Sequence, residues 1–282
     1  MTPYYEDERS TIYHGDAAEV IASLPDESVD CVVTSPPYAE QRASTYGGVP
    51  EADYPAWTVA WMEPLKRALK PRGSVIINIR PHIRDGSLSD YTLRTRLALR
   101  ADGWTELDEL LWIKPDAVPT APNTRPRRSW ESMHWFGLGR EVACDPQANG
   151  QQTERLMAVD GGRATREGWS HSYAGSGSPG GPVGVSRCRD WVLVPAGASA
   201  ARTVDVDHPA PYPHKLAAWC IRLLCPPGGT VLDPFSGSGS TGVAAIQEGR
   251  RYVGIDLAEE YAAMSARRVK SEPLTLDFGG AA

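Results

Sequence analysis

Short apolar runs alternate with amphipathic stretches along most of this 282-residue chain, and this alternation constrains the fold more than any other feature. The apolar runs have the length of strands that are buried on both faces. They lie at residues 11–14, 30–34, 74–79, 109–113, 230–232 and 252–255. The amphipathic stretches, typical of helices, lie at 16–24, 54–70, 88–101, 214–225, 240–248 and 258–270. Strands and helices in this order predict an α/β fold with a parallel, doubly wound sheet.

The composition, 41% hydrophobic and 23% charged, is that of a globular protein. No apolar run approaches the roughly eighteen residues that a membrane-spanning helix needs. The first residues are polar and acidic (Tyr4-Tyr5-Glu6-Asp7-Glu8-Arg9), so we expect neither a signal peptide nor a transit peptide. We therefore expect a cytoplasmic protein without a membrane partner.

Cysteine usage also indicates a reducing compartment. The five cysteines are Cys31, Cys144, Cys188, Cys220 and Cys225. Their number is odd and none forms a C-x-x-C pair, so we expect free thiols and no metal site. Cys31, in a predicted strand, is either a buried small side chain or a catalytic thiol.

The charged residues are unevenly distributed. The net charge of −6 argues, taken alone, against a nucleic-acid partner. Residues 1–30 hold eight acidic side chains and one arginine, whereas residues 66–100 hold nine basic and two acidic ones. Residues 114–140 hold five basic and two acidic side chains. Such runs usually form solvated faces, but they also allow one positive face that binds phosphates.

Residues 141–190 differ from the rest of the chain. They are rich in Gly, Ser, Gln and Pro, and include the run Gly175-Ser176-Gly177-Ser178-Pro179-Gly180-Gly181-Pro182. A segment of this composition cannot bury a core of its own, and partial disorder is one outcome. We therefore expect residues 1–140 and 191–282 to form the core and 141–190 to form an irregular insertion.

A strand near the carboxyl end of the chain leads into a glycine-rich turn and a helix (231–242, VLDPFSGSGSTG). Gly237 and Gly239 allow close approach of a ligand to the backbone, and the following helix offers free N–H groups. The next strand ends at Asp256, twenty-three residues after Asp233. That spacing suits a carboxylate that accepts hydrogen bonds from ribose hydroxyls.

Three interpretations of this turn remain open. A nicotinamide dinucleotide fits poorly, because a third spaced glycine is missing and Asp233 puts a negative charge where a pyrophosphate would lie. S-adenosylmethionine, which carries an ammonium group, a ribose and no phosphate, fits both acids better. A turn that only connects strand to helix is the third interpretation.

A second motif lies near the start of the chain, where a buried strand stops at two prolines (30–38, DCVVTSPPY). Pro36 and Pro37 fix the backbone and remove two N–H donors, so that carbonyl groups face outward from a rigid turn. Ser35 adds a hydroxyl, and Tyr38 adds a ring at the edge of the sheet where open α/β folds bind ligands.

Together these two motifs resemble those of the DNA amino-methyltransferases, which methylate exocyclic nitrogens of cytosine or adenine. The Pro-Pro-Tyr motif precedes the cofactor motif, as in the circularly permuted beta group. Further segments follow the family's order, at residues 14–16 (HGD), 112–115 (WIKP), 125–128 (RPRR), 208–210 (HPA) and 254–257 (GIDL). The resemblance implies a Rossmann-like methyltransferase sheet, mostly parallel with one antiparallel strand, and makes 141–190 the target-recognition insertion.

The resemblance also implies S-adenosyl-L-methionine as the cofactor, with a role for each matching residue. Asp233 is expected near its ammonium group, Asp256 at the ribose hydroxyls and Asp16 near the adenine amino group. His208 is expected to help close the pocket. The other candidate cofactor-binding residues are Thr34, Phe235, Ser236, Gly237, Ser238, Gly239, Ser240, Thr241 and Leu257.

The family's reaction methylates an amine whose lone pair is delocalised into the base. Ser35 and the carbonyl of Pro36 are expected to accept hydrogen bonds from the amine, after the base has been flipped out of the duplex. Pro37 completes the rigid turn, and Tyr38 is expected to stack on the base, a contact worth about 1–3 kcal/mol. This reaction needs no covalent adduct, so we interpret Cys31 as a structural residue.

A serine at the first position of the Pro-Pro-Tyr motif resembles the cytosine-N4 enzymes, whereas adenine-N6 enzymes more often have Asp or Asn. We therefore expect N4 of cytosine in double-stranded DNA as the target, with adenine N6 as the alternative. Arginines are favoured for phosphate and guanine contacts. The candidate DNA-binding residues are Arg42, Arg84, Arg125, Arg127, Arg128, Arg163 and Arg166. A second copy of the chain and a cognate restriction endonuclease are candidate partners.

Three other functions are weaker candidates. Methyltransferases of RNA or of protein glutamine share the fold, but the glutamine enzymes usually carry Asn-Pro-Pro-Tyr after the cofactor motif. A non-catalytic regulator that binds S-adenosylmethionine and DNA is disfavoured because every catalytic position is filled. A nicotinamide-dependent oxidoreductase is disfavoured by the glycine pattern.

Overall fold

The computed structural model describes residues 1–40, 48–84, 86–117, 125–150, 186–196 and 212–273. These ranges contain eleven strands and seven helices. The strands are β1 (Tyr5–Glu6), β2 (Ser10–His14), β3 (Val29–Thr34), β4 (Leu69–Ile79), β5 (Ile83–Arg84), β6 (Ser87–Leu88), β7 (Thr105–Ile113), β8 (Trp130–Gly137), β9 (Trp191–Leu193), β10 (Thr230–Asp233) and β11 (Arg251–Asp256). All six predicted strands are present, whereas β1, β5, β6, β8 and β9 were not predicted.

The helices are α1 (Ala17–Ser23), α2 (Tyr54–Met62), α3 (Leu65–Ala68), α4 (Tyr91–Ala101), α5 (His214–Leu224), α6 (Ser240–Gln247) and α7 (Glu259–Ser271). Each predicted helical stretch contains a helix. The stretch 54–70 was predicted as one helix and forms two, because Pro64 stands between them and has no N–H to continue the hydrogen-bond ladder. Strand β4 then begins at Leu69, earlier than the apolar run alone predicted.

Nine strands form one sheet in the order β1-β2-β11-β10-β3-β4-β8-β7-β9, and β5 and β6 form a separate hairpin. Strands β2, β11, β10, β3 and β4 are parallel to one another. Strand β8 lies antiparallel between β4 and β7. The mostly parallel sheet with an antiparallel strand is confirmed, and the two-residue β1 is a second antiparallel strand at the edge.

The core is built from strand residues that pack against helices. Val32, Ile77 and Leu232 of the central strands belong to one cluster with Ile21 of α1 and Met62 of α2. Each is almost completely buried. Burial of one aliphatic side chain stabilises the fold by about 1.5–3 kcal/mol. The carboxyl ends of the parallel strands are thereby held as a rigid edge.

The chain divides into two compact units, one of Met1–Asp145 with Asp190–Ala282 and the other of Pro146–Arg189. The sheet and all the helices given above belong to the first unit. In the second unit, the described residues include a hydrogen bond from the Cys188 N–H to the Pro146 carbonyl, at 2.6 Å. Residues 151–185 lie outside the described ranges, so the recognition role of 141–190 stays a prediction. None of the described helices has the length and apolar character to span a bilayer.

Candidate active site

The carboxyl ends of the five parallel strands lie side by side and form one edge of the sheet, across the strand direction. At its centre β3 and β10 are neighbours. From β3 the chain proceeds to β4 on one side, and from β10 it proceeds to β11 on the other. This divergence makes the position between β3 and β10 the topological switch point, where open α/β sheets form their ligand crevice.

The two sequence motifs meet at this switch point. Thr34, the last residue of β3, donates its hydroxyl to Asp233, the last residue of β10, at 2.7 Å. Thr34 is 1% exposed and Asp233 is fully buried. A buried hydrogen bond therefore joins the start of the Pro-Pro-Tyr loop to the start of the glycine-rich turn.

Asp233 is enclosed by hydrogen-bond donors. Besides Thr34, it accepts from the Thr241 hydroxyl at 2.5 Å and from the Phe235 N–H at 3.1 Å. Burial raises the pKa of Asp233 to about 6, although these hydrogen bonds oppose the shift. In this arrangement Asp233 holds the two loops together. Its predicted position near an ammonium group stays a prediction.

The glycine-rich turn closes on itself before α6 begins. The Gly239 N–H donates to the Ser236 carbonyl at 2.8 Å, and the Ser236 N–H donates to the Ile255 carbonyl at 2.8 Å. Gly237 and Gly239 have positive φ angles, 50° and 79°, which L-residues with a side chain rarely adopt. A methyl group on Gly239 would also lie 2.8 Å from the Ser265 hydroxyl oxygen, so α7 packs tightly against the turn.

Asp256, at the end of β11, faces the same turn. It accepts from the Gly237 N–H at 2.8 Å and from the Ala258 N–H at 2.9 Å, one on each oxygen. It is 2% exposed, and burial raises its pKa to about 6. Each carboxylate oxygen accepts more than one hydrogen bond, so Asp256 retains acceptor capacity for a ligand. Leu257, the next residue, is exposed.

The side chains of the turn are held by neighbouring helices. The Ser236 hydroxyl bonds to Ser265 of α7 at 2.9 Å. Arg268 of α7 donates to the Ser238 carbonyl at 2.7 Å. The half-buried ring of Phe235 packs against the rings of Trp57 and Trp61 of α2, with centroids 5.4 and 5.3 Å away. Ser240 and Thr241 are buried in the first turn of α6.

Two further candidates for cofactor binding have different outcomes. Asp16 is the N-cap of α1, where its carboxylate accepts from the N–H groups of Ala18 and Glu19 at 2.9 and 3.2 Å. It is exposed and follows β2 at the same edge of the sheet. Its capping role accounts for an acid at this position without a ligand. His208 lies outside the described residues.

The Pro-Pro-Tyr loop follows β3 directly. The half-buried Ser35 donates its hydroxyl to the Asn78 carbonyl at 3.3 Å. Because the single hydroxyl proton is used in this bond, the oxygen lone pairs remain available as acceptors. Pro36 is buried, and Pro37 and Tyr38 are half-buried.

Tyr38 is anchored at its hydroxyl, which donates to Glu131 at 2.9 Å. Burial and the negative charge of Glu131 raise the pKa of Tyr38 well above its usual value, and the phenol stays protonated. Glu131 lies at the start of β8, which runs antiparallel to β4 and therefore begins at the edge where β4 ends.

The site also contains Glu131, Asn78 and Lys114, which the two sequence motifs do not predict. Glu131 is 4% exposed and Lys114 is 8% exposed, and the two form an ion pair. Charged residues are almost never fully buried unless they are paired. The one signal in the sequence is Lys114, which lies in the segment 112–115 (WIKP) that follows the family's order.

The described candidate arginines gather near the β5–β6 hairpin. Arg84 belongs to β5 and pairs with Glu40 at 2.6 Å. Arg125 donates to the Gly86 carbonyl and Arg128 to the Pro81 carbonyl. Arg127 is exposed. Arg42, Arg163 and Arg166 lie outside the described residues.

The basic character of residues 66–100 is largely neutralised in the fold. Eight of its nine basic side chains form ion pairs with carboxylates, among them Arg67 with Asp26, Lys70 with Asp30 and Arg96 with Glu106. Counted along the sequence, this segment has an excess of seven positive charges. Most of that excess therefore does not form a free positive face.

One cysteine and one cluster of three side chains carry potentially reactive or metal-binding atoms. Cys31 is completely buried, and burial raises the pKa of its thiol well above the usual value, which supports its structural interpretation. The side chains of Glu40, Glu51 and His82 have ligand atoms within 4.8 Å of one another. Glu40 pairs with Arg84 at 2.6 Å, and a Glu51 carboxylate oxygen lies 2.7 Å from a ring nitrogen of His82.

The acids of the site fit a cationic ligand. Asp233 and Asp256 are buried, and within the described ranges neither forms an ion pair with Lys or Arg. Burial is the main cause that raises the pKa values of both acids to about 6, and the charge of Asp233 also raises the pKa of Asp256. A bound cation would favour their ionised forms. The crevice therefore suits a molecule that carries positive charge and hydroxyl groups.

Comparison with known proteins gives matches over almost the whole chain. The N6/N4 DNA methylase family model matches residues 29–267. The chain is 27% identical to Type II methyltransferase M.PvuII of Proteus hauseri, over 94% of this chain and 85% of that protein. It is 30% identical to Type II methyltransferase M.XycI of Xanthomonas campestris pv. cyanopsidis, over 93% of this chain and 88% of that protein.

Solved structures match the fold. The cytosine-N4-specific PvuII DNA methyltransferase superposes with a TM-score of 0.72 at 24% identity, over 99% of this chain and 90% of that chain. A DNA modification methylase of Thermus thermophilus, in complex with S-adenosyl-L-methionine, gives a TM-score of 0.60 at 23% identity, over 94% of both chains. These matches confirm the Rossmann-like methyltransferase fold.

Proposed function

The chain belongs to the N6/N4 DNA methylase family, and on this premise we propose that it transfers a methyl group from S-adenosyl-L-methionine to N4 of a flipped cytosine in double-stranded DNA. The observation that carries the proposal is the buried hydrogen bond from Thr34 to Asp233. This bond places the Pro-Pro-Tyr loop, whose pattern suits binding of an amine, beside the crevice that suits a cationic ligand. The relative M.PvuII, described as cytosine-N4-specific, supports the choice of base.

Residues of the glycine-rich turn and β11 hold the cofactor. When bound, S-adenosyl-L-methionine supplies a methyl group on a positively charged sulfur. Asp256 would accept hydrogen bonds from the ribose hydroxyls, and Phe235 to Thr241 would surround the amino-acid part. Asp16 would hold the adenine amino group, Leu257 would add apolar contact and His208 would help to close the pocket. Asp233 would contribute negative charge toward the ammonium group.

Ser35 and Pro36 prepare the amine for attack. The Ser35 oxygen, whose proton is donated to Asn78, and the Pro36 carbonyl each accept a hydrogen bond from an N–H of the target. These contacts draw the nitrogen toward tetrahedral geometry and localise its lone pair. The nitrogen would accept the methyl group that the cofactor supplies, the sulfur would keep the electron pair of the broken bond, and the proton that the nitrogen then releases would pass to solvent. Positioning supplies most of the acceleration.

Tyr38 and Pro37 shape the place of the flipped base. The Tyr38 ring stacks on the base, and the rigid Pro36-Pro37 turn fixes where the ring begins. Cys31 takes no part, because attack by an exocyclic nitrogen needs no thiolate adduct.

Site recognition falls to residues 141–190 and to the arginines at the β5–β6 hairpin. Arg84, Arg125, Arg127 and Arg128 contact phosphates or guanines, as do Arg42, Arg163 and Arg166. The similarity to Type II methyltransferases supports a role in restriction–modification with a cognate endonuclease. A cytoplasmic location accords with that role, and a homodimer is a candidate assembly.

Mass spectrometry of nucleosides tests the proposal. Unmethylated bacteriophage DNA is incubated with the protein and S-adenosyl-L-methionine, digested to nucleosides and analysed. We expect N4-methylcytosine. N6-methyladenine as the product would contradict the cytosine assignment, and no methylated nucleoside would contradict the function itself.

A further inference from the structure

Glu131 is a buried carboxylate that the proposed reaction does not use. It is 4% exposed. One of its oxygens accepts from the Tyr38 hydroxyl at 2.9 Å and from the Asn78 amide at 3.0 Å. The other faces the Lys114 ammonium and, at 3.4 Å, the Arg80 guanidinium. Four donors therefore surround one carboxylate.

These donors come from separate parts of the edge of the sheet. Tyr38 belongs to the loop after β3 and Asn78 to the end of β4, while Arg80 follows β4 and Lys114 follows β7. Glu131 is the second residue of β8, opposite Trp112 in β7. A buried charge is costly unless it is paired and hydrogen-bonded. The arrangement meets this requirement, and it also ties the active-site loop to three strands.

The Tyr38 side chain is therefore held at both ends. The Pro36-Pro37 turn fixes the backbone at one end, and Glu131 fixes the hydroxyl at the other. The second contact of the hydroxyl, with the Asn78 amide, is longer at 3.3 Å. Without Glu131, the Tyr38 hydroxyl loses its shorter hydrogen bond, and the plane of the ring is held less firmly.

We propose that Glu131 is a positioning residue that holds the Tyr38 ring where the target base stacks. This inference rests on the proposed function, because it concerns the same site. Glu131 touches neither base nor cofactor and acts through Tyr38.

Glu131→Gln tests the inference. Glutamine keeps the size of the side chain, but its NH2 group cannot accept the hydrogen bonds that the carboxylate receives, either from Tyr38 and Asn78 on one oxygen or from Lys114 on the other. With tritiated S-adenosyl-L-methionine and unmethylated bacteriophage DNA, we expect kcat to fall about tenfold or more. KM for S-adenosyl-L-methionine should stay within about twofold, because the cofactor residues are untouched.

Tyr38→Phe removes the other half of the same hydrogen bond and keeps the ring. We expect a similar loss of kcat, and the double variant Glu131→Gln/Tyr38→Phe should lose no more than the more damaged single variant. Tyr38→Phe also carries the test if Glu131→Gln lowers the folded fraction. Additive losses, or full activity of Tyr38→Phe, would overturn the inference.

Asp30→Asn is a matched control for loss of stability. Asp30 is 7% exposed and pairs with Lys70 at 2.8 Å and with the Thr230 N–H at 2.8 Å. It lies near the start of β3, at the amino ends of the parallel strands, whereas the site lies at their carboxyl ends. We expect Asp30→Asn to lower the melting temperature about as much as Glu131→Gln while kcat is unchanged.

The outcomes separate the two proposals. No methyl transfer by the wild-type protein would refute the proposed function. Methyl transfer by the wild type together with unchanged kcat in Glu131→Gln, or an equal fall of kcat in Asp30→Asn, would refute the positioning role alone.

Discussion

Asp256 is a carboxylate whose ionisation a bound cofactor would change. Burial raises its pKa to about 6, and ribose hydroxyls donate to the ionised form. Binding therefore favours ionised Asp256, so affinity for S-adenosyl-L-methionine should rise with pH and level off above about pH 7. At pH 5 about one-tenth of a group with this pKa is ionised, so calorimetry should show binding about tenfold weaker than at pH 7.

Asp256→Asn is the control for that pH dependence. The variant should bind the cofactor about ten- to a hundredfold more weakly at pH 7, because the ribose hydroxyls lose a charged hydrogen-bond acceptor. Its affinity should also change less between pH 5 and pH 7, and any remaining change reports Asp233, whose pKa is likewise about 6. Unchanged affinity at pH 7 would mean that the cofactor lies elsewhere.

Single residues also show what the sequence could predict about the site. Both motifs could be predicted because each is local: prolines, glycines and an acid within a few residues of a strand end. Glu131 could not, because its partners Asn78 and Tyr38 lie 53 and 93 residues away. The cap at Asp16 is local, with partners two and three residues away, whereas the contact between Asp233 and Thr34 joins residues 199 apart and needed the fold.

Among the secondary-structure elements, α6 depends most on its first residue. Gly239, its N-cap, has φ 79° and packs against Ser265 of α7. Gly239→Ala should therefore lower the free energy of unfolding by about 1–2 kcal/mol because of the left-handed backbone, and further because of the close contact with Ser265. It should also weaken cofactor binding, because the turn must shift.

Gly249→Ala is the matched control for that prediction. Gly249 has φ 68° and open space around it, so the substitution should lower the free energy of unfolding only by the backbone contribution, about 1–2 kcal/mol. Urea denaturation of the two variants measures the difference. Equal midpoints would mean that α7 does not pack tightly against the turn.

The central strands could be predicted and β8 could not, for a reason visible in its residues. The parallel strands are covered on both faces, so they appear as apolar runs. Strand β8 buries Glu131, Ser132 and His134, so no apolar run marks it. Glu131 and Ser132 are tolerated through partners on other elements, such as Glu109, which accepts from Ser132 at 2.7 Å.

At the scale of the whole molecule, the distribution of charge decides how DNA is bound. The net charge is −6, and most basic side chains of residues 66–100 are paired with acids. Among the described residues, the remaining candidates at the β5–β6 hairpin are Arg125, Arg127 and Arg128. We expect these three to contribute at most about 3 to the slope of log affinity against log salt, because each phosphate contact contributes about 0.9.

Removal of one hairpin arginine tests this expectation. Arg125→Ala should lower the slope of log affinity against log salt by about 1. Arg67→Ala is the control, because Arg67 pairs with Asp26 in the loop before β3, at the opposite edge of the sheet. Fluorescence anisotropy at several salt concentrations gives both slopes. Equal slopes for Arg125→Ala and the wild type would remove the hairpin from the DNA surface.

The most direct test of the active site as a whole is methyl transfer by Ser35→Ala beside its binding of cofactor. Ser35 does not hold the cofactor in this account, so calorimetry should give an affinity for S-adenosyl-L-methionine within about twofold of the wild type. Incorporation of tritiated methyl groups into DNA should fall about a hundredfold or more, because the amine loses a positioned acceptor. Full methyl transfer by Ser35→Ala would contradict the account.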